Sequence, residues 1–325
     1  MDGFFALALT NLGSPLILSV VLGVFAALAR SDLSFPEAAA KALSIYLLFA
    51  IGFKGGVSVA EHGIDLTLGL ALTAGIVMSF ALPIIAFGLL RVMSRLDRTN
   101  AAAVAAHYGS ISIVTFVAGT SVVDAAGFTA EGYMVAVAAA MEAPAILSAL
   151  WLITRGGSQT HMDSDLWREI LLNGSIVLLV GSFFIGGITG TDGLEQISAF
   201  IVSPFQGALC LFLLDMGLVA GRGMRQNRAL LTPGLLSFGI LMPIIGAAIG
   251  AGLGVAIGLS TGGVTLLMVL AASASYIAVP AAMRVAVPDA DPGIYLTLSL
   301  GVTFPFNLTV GLPIYLAIAR ALTGG

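Results

Sequence analysis

From Ala229 to Met283 the chain runs fifty-five residues without an Asp, Glu, Lys or Arg. A soluble domain is about one quarter charged, so water does not hold such a stretch. About 20 apolar residues carry one helix across hydrocarbon, and this segment is long enough for two. Gly258-Leu259-Ser260-Thr261-Gly262-Gly263 marks the hinge between them. The second half then carries Ala271-Ala272-Ser273-Ala274-Ser275-Tyr276-Ile277-Ala278-Val279-Pro280, with hydroxyls and a proline at mid-membrane depth. Backbone polar groups must be satisfied inside a bilayer, so a helix broken there implies a cavity or a binding site.

The composition fits a polytopic membrane protein: 58% hydrophobic, 9% charged, net charge −4. No basic tract suggests nucleic acid. The lone cysteine, Cys210, excludes an intrachain disulfide framework and reads as packing. Met1-Asp2-Gly3-Phe4-Phe5 lacks the basic start of a secretory signal, so the first apolar segment is expected to be a permanent span.

Apolar runs predict an all-α protein with ten spans, near 10–30, 37–58, 66–91, 99–121, 131–154, 168–189, 195–221, 229–257, 262–286 and 292–320. Connections after odd-numbered spans hold Arg30, Lys41, Arg91, Arg95, Arg98, Arg155, Arg168, Arg222, Arg225, Arg228 and Arg284; the other side holds Lys54 and Arg320. Eleven against two puts the first group in the cytoplasm and both termini outside.

The halves echo one another. Leu82-Pro83-Ile84-Ile85 recurs as Met242-Pro243-Ile244-Ile245, and Gly132 with Pro144 as Gly293 with Pro305. Gly52 and Gly56 recur as Gly217 and Gly221, and Gly23-Val24-Phe25 as Gly181-Ser182-Phe183, all at offsets of 158 to 165. Residues 1–157 form one expected five-helix repeat, 158–167 a short cytoplasmic linker, and 168–325 a second repeat. An odd number of spans inverts the second repeat, as in secondary transporters.

The fourth span of each repeat is expected to break. The first copy reads Ala105-Ala106-His107-Tyr108-Gly109-Ser110-Ile111-Ser112-Ile113-Val114-Thr115, with Ser110 aligned to Ser275. Two half-helix N-termini facing each other offer N–H groups and dipole ends to an anion, and Ser or Thr hydroxyls add donors. Close packing of small residues is the alternative use of such a segment. Two acids lie within spans, Glu142 and Asp215, each a Na+ ligand, a proton carrier or an interhelical hydrogen-bonding group. His107 reads as packing or relay, Lys54 as a snorkelling side chain, and Arg284 as a cytoplasmic anchor. His62, His107 and His161 are scattered, and no HExxH or CxxC occurs, so no catalytic cluster is expected.

Three classes compete on these residues. A secondary anion transporter explains the inverted repeats and broken helices. A cation/proton antiporter or organic-anion symporter of related ten-helix architecture makes Glu142 or Asp215 the titrating group. An enzyme or passive channel leaves the symmetry unexplained.

At Ala106–Phe116, Ala271–Arg284, Met141-Glu142-Ala143-Pro144 and Ile51-Gly52-Phe53-Lys54-Gly55-Gly56 the chain resembles the sodium-dependent bicarbonate transporter family, best known from cyanobacteria. The resemblance covers essentially the whole chain. It implies a core and a gate domain interleaved across both repeats, an elevator-like motion, a homotrimer in the inner (plasma) membrane, and Na+-coupled bicarbonate symport without other cofactors. Substrate contacts carried over by the resemblance fall on Gly109, Ser110, Ser112, Thr115, Ser273, Ala274 and Ser275. Glu142, Asp215 and Tyr276 are the ion-coupling candidates, with Na+ expected near Glu142 and Ser275. A PII-like cytoplasmic regulator is a candidate partner. The chain departs from the cyanobacterial pattern at Tyr276, where that pattern has Asp, and at Ala274, where it has Ser; its 155–167 connection is also short.

Overall fold

A computed structural model describes residues 13–63, 65–154, 172, 174–226, 232–276, 279, 280, 282, 283 and 287–324. The 158–167 linker, Arg155, His161, Arg168, Arg228, Arg284 and both chain ends lie outside the described residues. Among the described residues every regular element is a helix. They are α1 (Pro15–Leu28), α2 (Glu37–His62), α3 (Leu66–Met93), α4 (Arg98–His107), α5 (Ile113–Ala125), α6 (Met134–Ala140), α7 (Glu142–Thr154), α8 (Gly174–Ile201), α9 (Phe205–Gln226), α10 (Pro233–Ile257) and α11 (Thr261–Ala272). The last stretch runs through α12 (Pro292–Leu298), a wide turn at Ser299–Thr303, α13 (Phe304–Phe306), a second wide turn at Asn307–Gly311, and α14 (Leu312–Thr323). Seven helical stretches among the described residues are long and apolar enough to cross a membrane.

Local signals start most of these helices. Ser14, Asp65, Asp97, Ser112, Thr232 and Ser260 each accept a backbone N–H with the side-chain oxygen, as N-caps do. Burial pushes the Asp97 carboxyl up, but hydrogen bonds from Asn100 and Thr99 outweigh it and hold the group below its ordinary value. This cap therefore stays charged at neutral pH, and its contribution fades on acidification through the lowered value.

The tightest packing pairs α2 with α8 and α1 with α9. Glycines allow it: a methyl at Gly56 would overlap the Phe183 carbonyl, and one at Gly217 the Val20 carbonyl. The short helices α4 and α11 form the centre, with Ala101–Ala106 and Val264–Ala272 all buried.

Three features differ from the expected spans. The sixth span, expected to end at 189, kinks at Gly190 (φ 60°, ψ −153°) and continues helically to Ile201. Only glycine adopts that backbone conformation freely. Beyond the kink the chain doubles back along α2: Gly186 packs on Phe53, Gly193 returns to the Phe53 ring, and Tyr46 Oη donates to the Phe200 carbonyl at 2.7 Å. The seventh span accordingly starts at Phe205 rather than 195, just after Pro204, whose fixed φ suits a helix start. The fifth span breaks at Met141 between α6 and α7. The last is widened by π turns on either side of Pro305, a residue with no N–H for the helical ladder.

Candidate functional site

α4 stops at His107 and α5 restarts at Ile113; α11 stops at Ala272, Ser273–Tyr276 are non-helical, and Val279 and Pro280 are helical again. The two intervening segments cross. Ser112 N–H donates to Ser273 Oγ at 2.9 Å, and Ser275 N–H donates to the His107 carbonyl at 2.7 Å. Each break thus satisfies backbone groups that the other exposes, which the interior requires.

The first break is imposed by packing as well as by sequence. Gly109 lies against the Pro83 ring of α3 so closely that any Cβ would overlap it. At the restart, Ser112 Oγ accepts the Thr115 N–H at 3.2 Å and the Thr115 hydroxyl at 2.9 Å. Ser273 Oγ donates to the Leu270 carbonyl at 2.9 Å while accepting from Ser112. On the other segment Ser275 Oγ accepts the Val279 N–H at 3.5 Å. The N–H groups of Ile113 and Val114 fall in the first turn of α5, where no carbonyl of that helix reaches them.

All seven expected substrate contacts, Gly109, Ser110, Ser112, Thr115, Ser273, Ala274 and Ser275, lie in or beside this crossing. Ser110, Ser112, Thr115, Ser273, Ala274 and Ser275 are each at most 3% exposed. Glu142 joins them: Ser110 Oγ donates to its Oε2 at 2.8 Å. Ser79 Oγ donates to the Met141 carbonyl at the α6–α7 joint, one residue before Glu142. Asp215 is buried on α9, but no hydrogen bond joins it to the cluster; Arg222, two turns along, supplies its nearest charge effect.

Two buried polar atoms at the crossing have no partner among the described residues, Tyr276 Oη and His107 Nε2. The Tyr276 ring packs edge-on against Phe304, and its hydroxyl, near Ser112, makes no hydrogen bond of good geometry among the described residues. His107 Nδ1 lies 2.7 Å from the Ala103 carbonyl. A carbonyl only accepts, so Nδ1 carries the proton and Nε2 is left an acceptor in the neutral ring. The ring stacks on Tyr295 at 4.5 Å. The crossing therefore holds an unused donor and an unused acceptor in a buried setting.

Three supports escaped sequence reasoning. Asn307 Nδ2 donates to the Ala272 carbonyl at 2.9 Å, and Tyr315 Oη donates to Asn307 Oδ1 at 2.8 Å. Thr303 Oγ1 donates to the Gly239 carbonyl at 2.7 Å, so the 2.7 Å contact with Tyr108 has the tyrosine as donor. The available signal was Thr303 and Asn307 themselves, polar residues set two positions to either side of Pro305 in an apolar run.

Residues 15–320 match the sequence profile of the Na+-dependent bicarbonate transporter superfamily. No curated protein matches the chain.

Proposed function

The chain belongs to the Na+-dependent bicarbonate transporter superfamily, and from that premise we propose that it is a secondary active transporter taking up bicarbonate with Na+ by alternating access. It is a multi-pass membrane protein. In the proposed architecture ten crossings form two inverted repeats, 1–157 and 168–325, joined by the 158–167 segment. The exchange pairing supports it: α1 with α9 and α2 with α8 match the first element of each repeat to the second of the other. An elevator-like shift of one group of helices, a homotrimer, an inner-membrane location with both termini outside, and a PII-like regulator complete the proposal.

The observation that carries it is the crossing of two broken helices with an unused donor and acceptor beside it. Bicarbonate is a small oxyanion with one O–H. Ile113 and Val114 N–H groups, Ser and Thr hydroxyls and the Tyr276 hydroxyl can donate to its oxygens, helped by the α5 dipole. His107 Nε2 can accept its proton. Among the described residues no fixed cation touches the site, which leaves release feasible. Na+ needs oxygen ligands, and the Glu142 carboxylate with Ser110 Oγ supplies two.

Purified protein in proteoliposomes tests this. An inward Na+ gradient should accelerate uptake of labelled bicarbonate severalfold over a K+ control. Equal rates would remove Na+ from the mechanism; absence of uptake would remove bicarbonate. Glu142→Gln keeps the shape and loses the charge. It should lose most of the Na+ activation while the protein stays folded, since a neutral amide is a far weaker cation ligand. Na+ activation equal to wild type would return Glu142 to a structural role.

A further inference from the structure

A cavity of about 340 Å³ opens between α2, α5 and the start of α9. Phe116 and Val117 line it nearest the α5 break, and Thr120, Ser121 and Asp124 line it toward the other end of that helix. The cavity thus begins one residue from Thr115 and extends to the side that the Lys and Arg asymmetry puts outside. Lys54 is the one cation among its lining residues.

Lys54 is an expensive residue for this place. It sits in the interior of α2, within a stretch apolar enough to cross a membrane. Its side chain is exposed into the cavity, its ammonium is 5.3 Å from the Phe205 ring centroid, and no carboxylate of the described residues lies within 4 Å of it. Asp124 acts on it by charge at longer range. Glu131, the other acid of the cavity, is engaged elsewhere, accepting the Ser260 N–H at 2.7 Å and the Ser260 hydroxyl at 3.1 Å. Structural pairing therefore leaves the ammonium available.

A second cavity of about 370 Å³ lies between α9 and α12. Its lining includes Val219, Ala220, Gly293 and Leu296, the positions that the internal repeat aligns with Lys54, Gly55, Gly132 and Val135 of the first. The cavities are counterparts, yet Val219 stands where the first has Lys54. The cation of the second, Arg222, is tied to the Leu33 carbonyl at 2.7 Å. Only the first cavity carries its cation at the repeat-aligned position.

We propose that the first cavity is an entry vestibule in which Lys54 captures a small monovalent oxyanion before it reaches the crossing. The proposal rests on the transport reading above. A cation in a low-dielectric cleft concentrates anions and speeds their entry by about tenfold or more. Release on the other side needs no such cation, which suits a protein that imports.

The test has two arms. In proteoliposomes, Lys54→Gln should raise the bicarbonate KM about tenfold with Vmax within about twofold, and Lys54→Arg should keep the wild-type KM. An unchanged KM in Lys54→Gln overturns the proposal. The second arm needs no substrate. Thr120→Cys, in a Cys210→Ala background, is labelled from outside with anionic and cationic membrane-impermeant thiosulfonates. The ratio of anionic to cationic rates should fall about tenfold when Lys54→Gln is added. An equal ratio in both backgrounds overturns capture by Lys54. If wild-type protein takes up no bicarbonate, the transport reading falls, and the labelling ratio alone decides whether the vestibule selects anions.

Discussion

Ser110→Leu should abolish bicarbonate uptake while the protein still reaches the membrane. Ser110 is 1% exposed at the crossing, and its hydroxyl points at Glu142 Oε2, 2.8 Å away. Leucine puts a branched apolar group where the proposed anion and the coupling carboxylate meet. The small variant separates filling from hydrogen bonding. Ser110→Ala removes one hydrogen bond to a charged group, worth about 1.5–3 kcal/mol. It should raise the apparent bicarbonate or Na+ constant about ten- to a hundredfold at that energy, since each 1.4 kcal/mol is about tenfold. Ser110→Ala and Glu142→Gln break the same contact, so their double variant should be little worse than the poorer single one. Strictly additive losses would show that the two side chains act separately. Wild-type transport by both Ser110→Leu and Ser110→Ala would move the anion elsewhere.

Gly109→Ala should be the most damaging methyl in the crossing. The added Cβ would overlap Cγ and Cδ of the Pro83 ring, which is too rigid to step aside. Overpacking of this kind costs about 1–3 kcal/mol, and here the cost falls on the segment that positions Ser110 and Ser112. Expression and thermal stability in detergent should fall together with transport. Pro83→Ala in the same chain removes the obstructing ring atoms, so the double variant should regain part of the stability lost by Gly109→Ala alone. A Gly109→Ala protein as stable and active as wild type would mean that α3 moves away freely, and the break would then not depend on that contact.

The breaks in the fourth span of each half were legible because they are local. Gly109 with Ser110 and Ser112, and Ser273 with Ser275 and Pro280, are residues that weaken a helix wherever they occur in an apolar run. Glu142 was legible too, since a carboxylate in apolar surroundings is conspicuous. Asp215 is equally conspicuous and equally buried, yet stays outside the hydrogen-bonded cluster, because α9 packs against α1 rather than against the crossing. The return arm beyond Gly190 was not legible: its helical sequence continues, and one glycine with positive φ reverses its course. The π turns around Pro305 were hidden similarly, because a single proline does not state whether a helix bends, breaks or widens.

By itself, the sequence determined what depends on the solvent and on neighbours a few residues away. Apolar runs, and the placing of glycines, serines and prolines within them, decide that the chain is a bundle of apolar helices and that two of them fail at Gly109–Ser112 and Ser273–Ser275. Hydrocarbon enforces this residue by residue, since it satisfies no backbone group. Only the tertiary structure decided which failures meet. The contacts that build the site join His107 to Ser275, Ser112 to Ser273, Ser110 to Glu142 and Asn307 to Ala272, pairs separated by 32 to 168 residues. Nothing local ranks one such pairing above another. They form because each broken end leaves groups that only another broken end or a buried side chain can satisfy. The same packing left Tyr276 Oη and His107 Nε2 without partners among the described residues and placed Lys54 in a cavity.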